Sequence, residues 1–185
     1  MTRTERLRRV LGLCRYFMRN LAYFDAGRRG RSLRIKTPFW RTISDNFYDV
    51  CVLEWCKLFA DPKDSHYWAN VVTDPRSFER ELYGRIVIAP PTFAAYRKAL
   101  RHYRDKFVAH LDDDRVMGLA NMDVARAAAE IYYSQVLTSE VKRATARAFP
   151  KELDRYYSEC YYEALDMYLQ HASPAPGSKG RQTDS

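Results

Sequence analysis

Apolar residues recur at helical spacing along almost the whole chain, and this period limits it to a packing of helices. The clearest stretch runs Phe93, Tyr96, Leu100, Tyr103, Phe107 and Leu111, with steps of 3, 4, 3, 4 and 4 residues. It predicts a helix from Thr92 to about Leu111, with Thr92 as its cap. A half-buried strand needs alternation instead, and the only candidate is Arg85 to Ile88, which Pro90 cuts short. With 7 Gly and 8 Pro in 185 residues, the chain also lacks the turns of an all-β fold.

The first helix buries Leu7, Val10, Leu11, Cys14, Phe17, Met18, Leu21 and Phe24, and its polar side carries Arg6, Arg9, Arg15 and Arg19. Gly27 and Gly30 break it within a basic connector, Arg28 to Lys36. A second helix starts near Pro38 and stops at Asp61-Pro62, with Trp40, Ile43, Phe47, Val50, Cys51, Trp55 and Leu58 as its buried stripe. Shorter helices fit 65–72 and 77–84, the latter entered through Asp74-Pro75. Asp123 opens another, with Val124, Ala127, Ala128, Ile131 and Tyr132 inward, and a segment over 138–149 follows. Pro150 fits the first turn of a last long helix through Leu153, Tyr156, Tyr157, Cys160, Ala164, Tyr168 and Leu169. Residues 172–185 are Ser, Pro, Gly and charge without periodicity, and read as a disordered tail. The expected fold is all-α: one domain over residues 1–171, bundling about six or seven helices.

The net charge of +8 is concentrated at one end. Residues 1–36 hold 11 Arg and Lys against Glu5 and Asp25, a balance of +9, and the remainder of the chain balances at −1. Such asymmetry points to a polyanion, nucleic acid before membrane, contacted through Arg6, Arg9, Arg15 and Arg19. A solvated arginine-rich helix accounts for it equally well. No apolar run approaches the ~18 residues of a membrane span. Arg15 and Arg19 interrupt the run a secretory leader needs, so the expectation is a cytoplasmic protein with no membrane partner. Cys14, Cys51, Cys56 and Cys160 form no CxxC pair and read as reduced core residues. The histidines, His66, His102, His110 and His171, lack metal-ligand spacing, and the sequence implies neither metal nor cofactor.

Within the Thr92 helix stands Arg104-Asp105-Lys106-Phe107-Val108-Ala109-His110, followed by Leu111-Asp112-Asp113-Asp114. Five residues separate the guanidinium from the imidazole. The stretch resembles the signature of the HEPN superfamily: an Arg, a polar residue, then a His after four to six intervening positions. Asp105 supplies the polar residue. The run Lys106 to Asp112 and the upstream helical segment Leu53 to Phe59 are similar to the abortive-infection branch of that superfamily. The similarity extends over residues 40–170, and 104–112 is its specific part.

The resemblance implies a metal-independent endoribonuclease built as a homodimer, a toxin or antiviral (abortive infection) effector acting on RNA, with an antitoxin protein among its partners. A ribose 2′-OH attacks the neighbouring phosphate and leaves a 2′,3′-cyclic phosphate. His110 is the implied proton carrier, since an unperturbed imidazole titrates near ~6.5. Arg104 is the implied anion holder, since its planar fork grips phosphate and stays charged. Lys106 adds positive charge four residues before His110, and Asp105 or Asp112 would orient Arg104 by a salt bridge. Family members paired with a nucleotidyltransferase antitoxin carry a Tyr two residues after the His, where this chain has Asp112. HEPN-like bundles also serve as scaffolds, which keeps open a non-catalytic helical module that dimerises and binds nucleic acid or a protein.

Six steps of 100° on an ideal helix put Arg104 and His110 about 120° apart around the axis and ~9 Å along it. Either the helix distorts before His110, or two chains assemble the set across a two-fold axis. His110 also falls seven residues after Tyr103, beside the apolar stripe, where an imidazole can be a packed residue satisfied by a backbone carbonyl.

Overall fold

The structure is a computed structural model and describes residues 1–30, 32–108 and 120–172. Eight α-helices stand among the described residues: α1 (Arg3–Ala26), α2 (Pro38–Phe59), α3 (Trp68–Val71), α4 (Pro75–Ile86), α5 (Pro90–Tyr103), α6 (Asp123–Gln135), α7 (Arg143–Ala146) and α8 (Leu153–Ala172). Six of these are long and two, α3 and α7, are single turns, so the all-α bundle expected from the periodicity is what the chain forms. The basic connector differs from expectation by folding into a two-residue hairpin, β1 (Arg28–Arg29) against β2 (Ser32–Leu33), antiparallel, with Arg28 opposite Leu33. Gly30 sits in its turn at φ +62°, a conformation that favours glycine.

A capping box starts α1. The Thr2 hydroxyl accepts from the Glu5 N–H at 3.2 Å, and the Glu5 carboxylate accepts from the Thr2 N–H at 2.8 Å. All eight residues expected on the inner face of α1 are buried, and Ala22 and Ala26 join them. So wide a stripe makes α1 the central helix, packed chiefly against α2 and α8 and also against α6. α5 lies on α2, and α4 on α6.

The buried stripe of α2 is Ser44, Tyr48, Cys51, Val52, Trp55, Cys56, Leu58 and Phe59. Trp40, Ile43, Phe47 and Val50 are only half-buried. Ser44 begins the continuous inward line 44–48–51–55–59, and its polarity hides that start from a hydrophobic pattern. Trp55 anchors the line: its ring stacks on Phe59 at 5.0 Å and its indole N–H donates to the Ala125 carbonyl at 3.1 Å. Trp40 instead packs on Tyr168 of α8 at 5.1 Å.

Three boundaries move. Arg85 and Ile86 close α4 and Val87 caps it, so the one strand candidate is a helix end. α5 begins at Pro90 rather than Thr92, because proline's fixed φ suits a first helical turn. α8 begins at Leu153 rather than Pro150, whose carbonyl is held by the Tyr133 hydroxyl at 2.6 Å. The segment 138–149 resolves into a π-helical turn, Val136–Glu140, and the single turn α7. All four cysteines are free and buried, and burial pushes the Cys56 thiol up to about 12. No described helix is long and apolar enough to cross a membrane. The sequence-based tail lies outside the described residues beyond Ala172.

Candidate functional site

α5 runs into a π-helical turn, Arg104–Val108, which interrupts the α-helix where the Arg-Asp-Lys stretch begins. Tyr103, just before it, donates from its hydroxyl to Asp49 of α2 at 2.7 Å and packs edge-on against Tyr48 at 5.3 Å. Those contacts fix the end of α5 and hence the start of the turn.

The Arg104 side chain is 21% exposed. Its Nε and Nη2 donate to one oxygen of Asp105 at 2.8 and 2.7 Å. Its Nη1 faces Asp61 at 4.0 Å, beyond hydrogen-bond length. Asp105 also lies 3.7 Å from Arg101, one turn earlier. Burial works against the Arg104 charge, but the Asp105 hydrogen bond and the charges around it, Asp105 and Asp61 among them, outweigh it. The guanidinium therefore holds its proton more tightly than usual. Asp105 engages one edge of the fork, and the Nη1 donors have no hydrogen-bond partner among the described residues.

Beside Arg104 a cleft of about 530 Å³ opens between Ala60 and Pro62, after α2, and Arg97, Lys98, Arg101 and His102 on α5. Among the described residues, Asp105 is the one carboxylate in its lining, against Arg97, Lys98 and Arg101, so the cleft has a positive excess. Lys106 is half-buried in the π turn. His110 and Asp112, the implied proton carrier and a supporting carboxylate, lie outside the described residues, as does the acidic run they border. Asp61 entered the sequence reading only as a helix stop. Its approach to Arg104, across more than forty residues of chain, comes from the packing of α5 on α2 and has no local signal.

The arginines of α1 divide. Arg9, Arg15 and Arg19 line a groove of about 730 Å³. Arg6 does not, and donates instead to the Asn70 carbonyl at 3.4 Å. Nine residues separate Arg6 from Arg15, which is about half a turn around the helix. Arg8, Gly12, Arg15 and Arg19 fall on one line at i, i+4, i+7 and i+11, and all four line the groove. That spacing is the sequence signal for Arg8 and Gly12, which a count of arginines passes over.

Lys57 of α2 and the pair Asp64–His66 line the same groove. Asp64 Oδ1 lies 2.7 Å from both the backbone N and Nδ1 of His66, so the carboxylate fixes Nδ1 as the protonated nitrogen. Nε2 is buried without a hydrogen-bond partner among the described residues. One stretch of chain thus serves both places: Lys57 and Asp64 line the groove, Ala60 and Pro62 line the cleft, and Asp61 faces Arg104. The α8 tyrosines serve mainly the core. Tyr157 and Tyr168 are buried, and the Tyr157 hydroxyl donates to Asp25 at 2.7 Å.

Family models, curated proteins and solved structures give no match to this chain.

Proposed function

We propose that this chain is a metal-independent endoribonuclease of the HEPN type, a cytoplasmic toxin or antiviral effector that acts on RNA as a homodimer and is restrained by an antitoxin protein. The observation that carries the reading is Arg104. It stands at a π turn on the end of an amphipathic helix in an all-α bundle, half-buried, braced by Asp105, with Nη1 donors left for an anion. The positive cleft beside it draws in a polyanion.

In the reaction, the ribose 2′-OH loses its proton to His110 and its oxygen attacks the neighbouring phosphorus. The 5′-oxygen leaves with a proton supplied by a His110, and a 2′,3′-cyclic phosphate remains. Negative charge grows on the non-bridging oxygens in the transition state, where the Arg104 fork stabilises it. Asp105 keeps the fork from swinging and ensures its charge.

A non-catalytic dimerisation module is favoured by one observation: Arg104 already faces carboxylates on two sides, Asp105 and Asp61, and would need no further anion. The two readings part in a cleavage assay. The purified chain is incubated with mixed RNA, with and without EDTA. Cleavage is expected to survive EDTA and to leave 2′,3′-cyclic phosphate ends. Arg104→Ala and His110→Ala should each lose ~100-fold or more in rate with circular dichroism unchanged. Wild-type-like cleavage by a folded His110→Ala chain excludes this mechanism. Intact RNA after incubation with the wild type moves the conclusion to the module.

A further inference from the structure

Gly12 has no structural reason to be glycine. It lies in the middle of α1, where glycine costs about 0.5–1 kcal/mol relative to alanine. A Cβ built there meets nothing within 4 Å. What its missing side chain does is leave an open floor in the groove, between Arg8 on one side and Arg15 and Arg19 on the other. These three arginines rise over about 16 Å of helix, which faces about five phosphates of a stacked strand at ~3.4 Å each. None of the three has a carboxylate partner within ion-pair distance among the described residues, unlike Arg104 or Arg126. Lys57 at the wall is already paired with Glu54 at 3.2 Å, and Asp64 at the wall is held by His66, so the three arginines carry the groove's unpaired charge among the described residues.

An aromatic ring stands in the same groove. Tyr16 is 50% exposed, and the Arg19 guanidinium lies 5.2 Å from its centroid. Cations alone hold any polyanion. One ring face lies under Arg19 and the ring is otherwise half open to solvent; cations beside such a ring suit unpaired bases, because a duplex keeps its base faces stacked inside.

We propose that the groove along α1 seats a single-stranded segment of RNA, with phosphates on Arg8, Arg15 and Arg19 across the floor left by Gly12 and a base stacked on Tyr16. This rests on the RNA-directed reading above and narrows its substrate to unpaired strands.

The test is fluorescence anisotropy at fixed salt with the full chain. The probe is a labelled 2′-O-methyl oligouridylate, which lacks the free 2′-OH and so is not cut. Its duplex with a complementary strand and inorganic polyphosphate serve as competitors. The single strand should bind about tenfold or more tighter than the duplex. Tyr16→Ala should lose about tenfold for the oligouridylate and leave competition by polyphosphate unchanged. Gly12→Glu, which places a carboxylate on the open floor, should abolish binding, whereas Gly12→Ala should keep it. The Cβ of either Gly12 variant meets nothing within 4 Å, and circular dichroism checks that both fold. Equal affinity for duplex, unchanged binding by Tyr16→Ala or Gly12→Glu, or no binding by the wild type overturns the proposal. A chain that binds as described and cuts no RNA removes the nuclease reading and leaves the groove assigned. One that cuts RNA with an unaltered KM in Gly12→Glu does the reverse.

Discussion

Val87 ends α4 at φ +56° and ψ +46°, the left-handed region, with 89% of its surface exposed. The conformation lets its N–H reach the Tyr83 carbonyl, but a side chain with Cβ costs ~1–2 kcal/mol there. Nothing is packed that Val87→Gly would lose. Allowing for glycine's greater freedom in the unfolded chain, the substitution should stabilise by about 0.5–1 kcal/mol, a rise in Tm of ~1–4 °C. Val87→Ala keeps the Cβ and should gain clearly less, so equal gains in a thermal melt would discard the backbone explanation. The same residue shows where a sequence reading stops short. Arg85 to Ile88 reads as a short strand candidate, and the residue type that normally announces a left-handed cap, glycine, is absent at Val87. Only the hydrogen bonds closing on Tyr83 reveal the helix end.

Between elements, a close approach joins the end of α1 to α8. Gly27 has an ordinary helical backbone, φ −70° and ψ −5°, so it is not needed for its freedom. A Cβ there would meet the Tyr168 hydroxyl at 2.7 Å and Cζ at 2.8 Å, inside contact distance. Tyr168 is 4% exposed, with its ring against Trp40 and its hydroxyl buried without a hydrogen-bond partner among the described residues. Gly27→Ala should therefore force that ring aside at a cost of ~1–3 kcal/mol. Tyr168→Phe removes an unpaired buried hydroxyl and should be neutral or stabilising by about 1 kcal/mol. The double variant should be less unstable than the two effects summed, since the hydroxyl is one of the atoms the new methyl strikes. Denaturant midpoints of the four chains measure this, and strict additivity would show that the two residues do not meet. The stripe of α1 was legible because its inward residues are apolar or small. That of α6 was legible in part: Ala128, Ile131 and Tyr132 are buried as expected, but Val124 and Ala127 are half-buried, and Ala125, Ala129 and Tyr133 face the core instead, because a run of small alanines does not mark its inner side. That of α2 was legible only past Cys51, since Ser44 and Tyr48 carry polar atoms into the core. No residue type flags a π turn, so at Arg104 the sequence offered only a choice between a distorted helix and a set shared by two chains.

For the whole molecule, the surplus of +9 in residues 1–36 was plain in the sequence, whereas its direction was not. Packing turns Arg6 toward Asn70, leaves Arg8, Arg15 and Arg19 along a groove, and brings a second positive cleft, from α5, to the other side of the loop after α2. How the proposed catalytic pair comes together is the remaining question at this scale. An ideal helix points residues six apart in directions about 120° from each other. A π turn, with i→i+5 bonding, advances fewer degrees per residue, so it does not by itself bring the sixth residue onto the face of the first. The proposed homodimer answers this by pairing Arg104 of one chain with His110 of the other across a two-fold axis. Light scattering on a sizing column at micromolar concentration should then give twice the mass of 21.8 kDa. A sharper measurement uses chains inactive by different substitutions. Co-expressed Arg104→Ala and His110→Ala chains form mixed dimers in half of cases, each with one intact pair and one empty pair, so the mixture should recover about a quarter of wild-type cleavage. A monomer mass, or a mixture as inactive as its parts, would place Arg104 and His110 of the same chain in one site and remove the shared one.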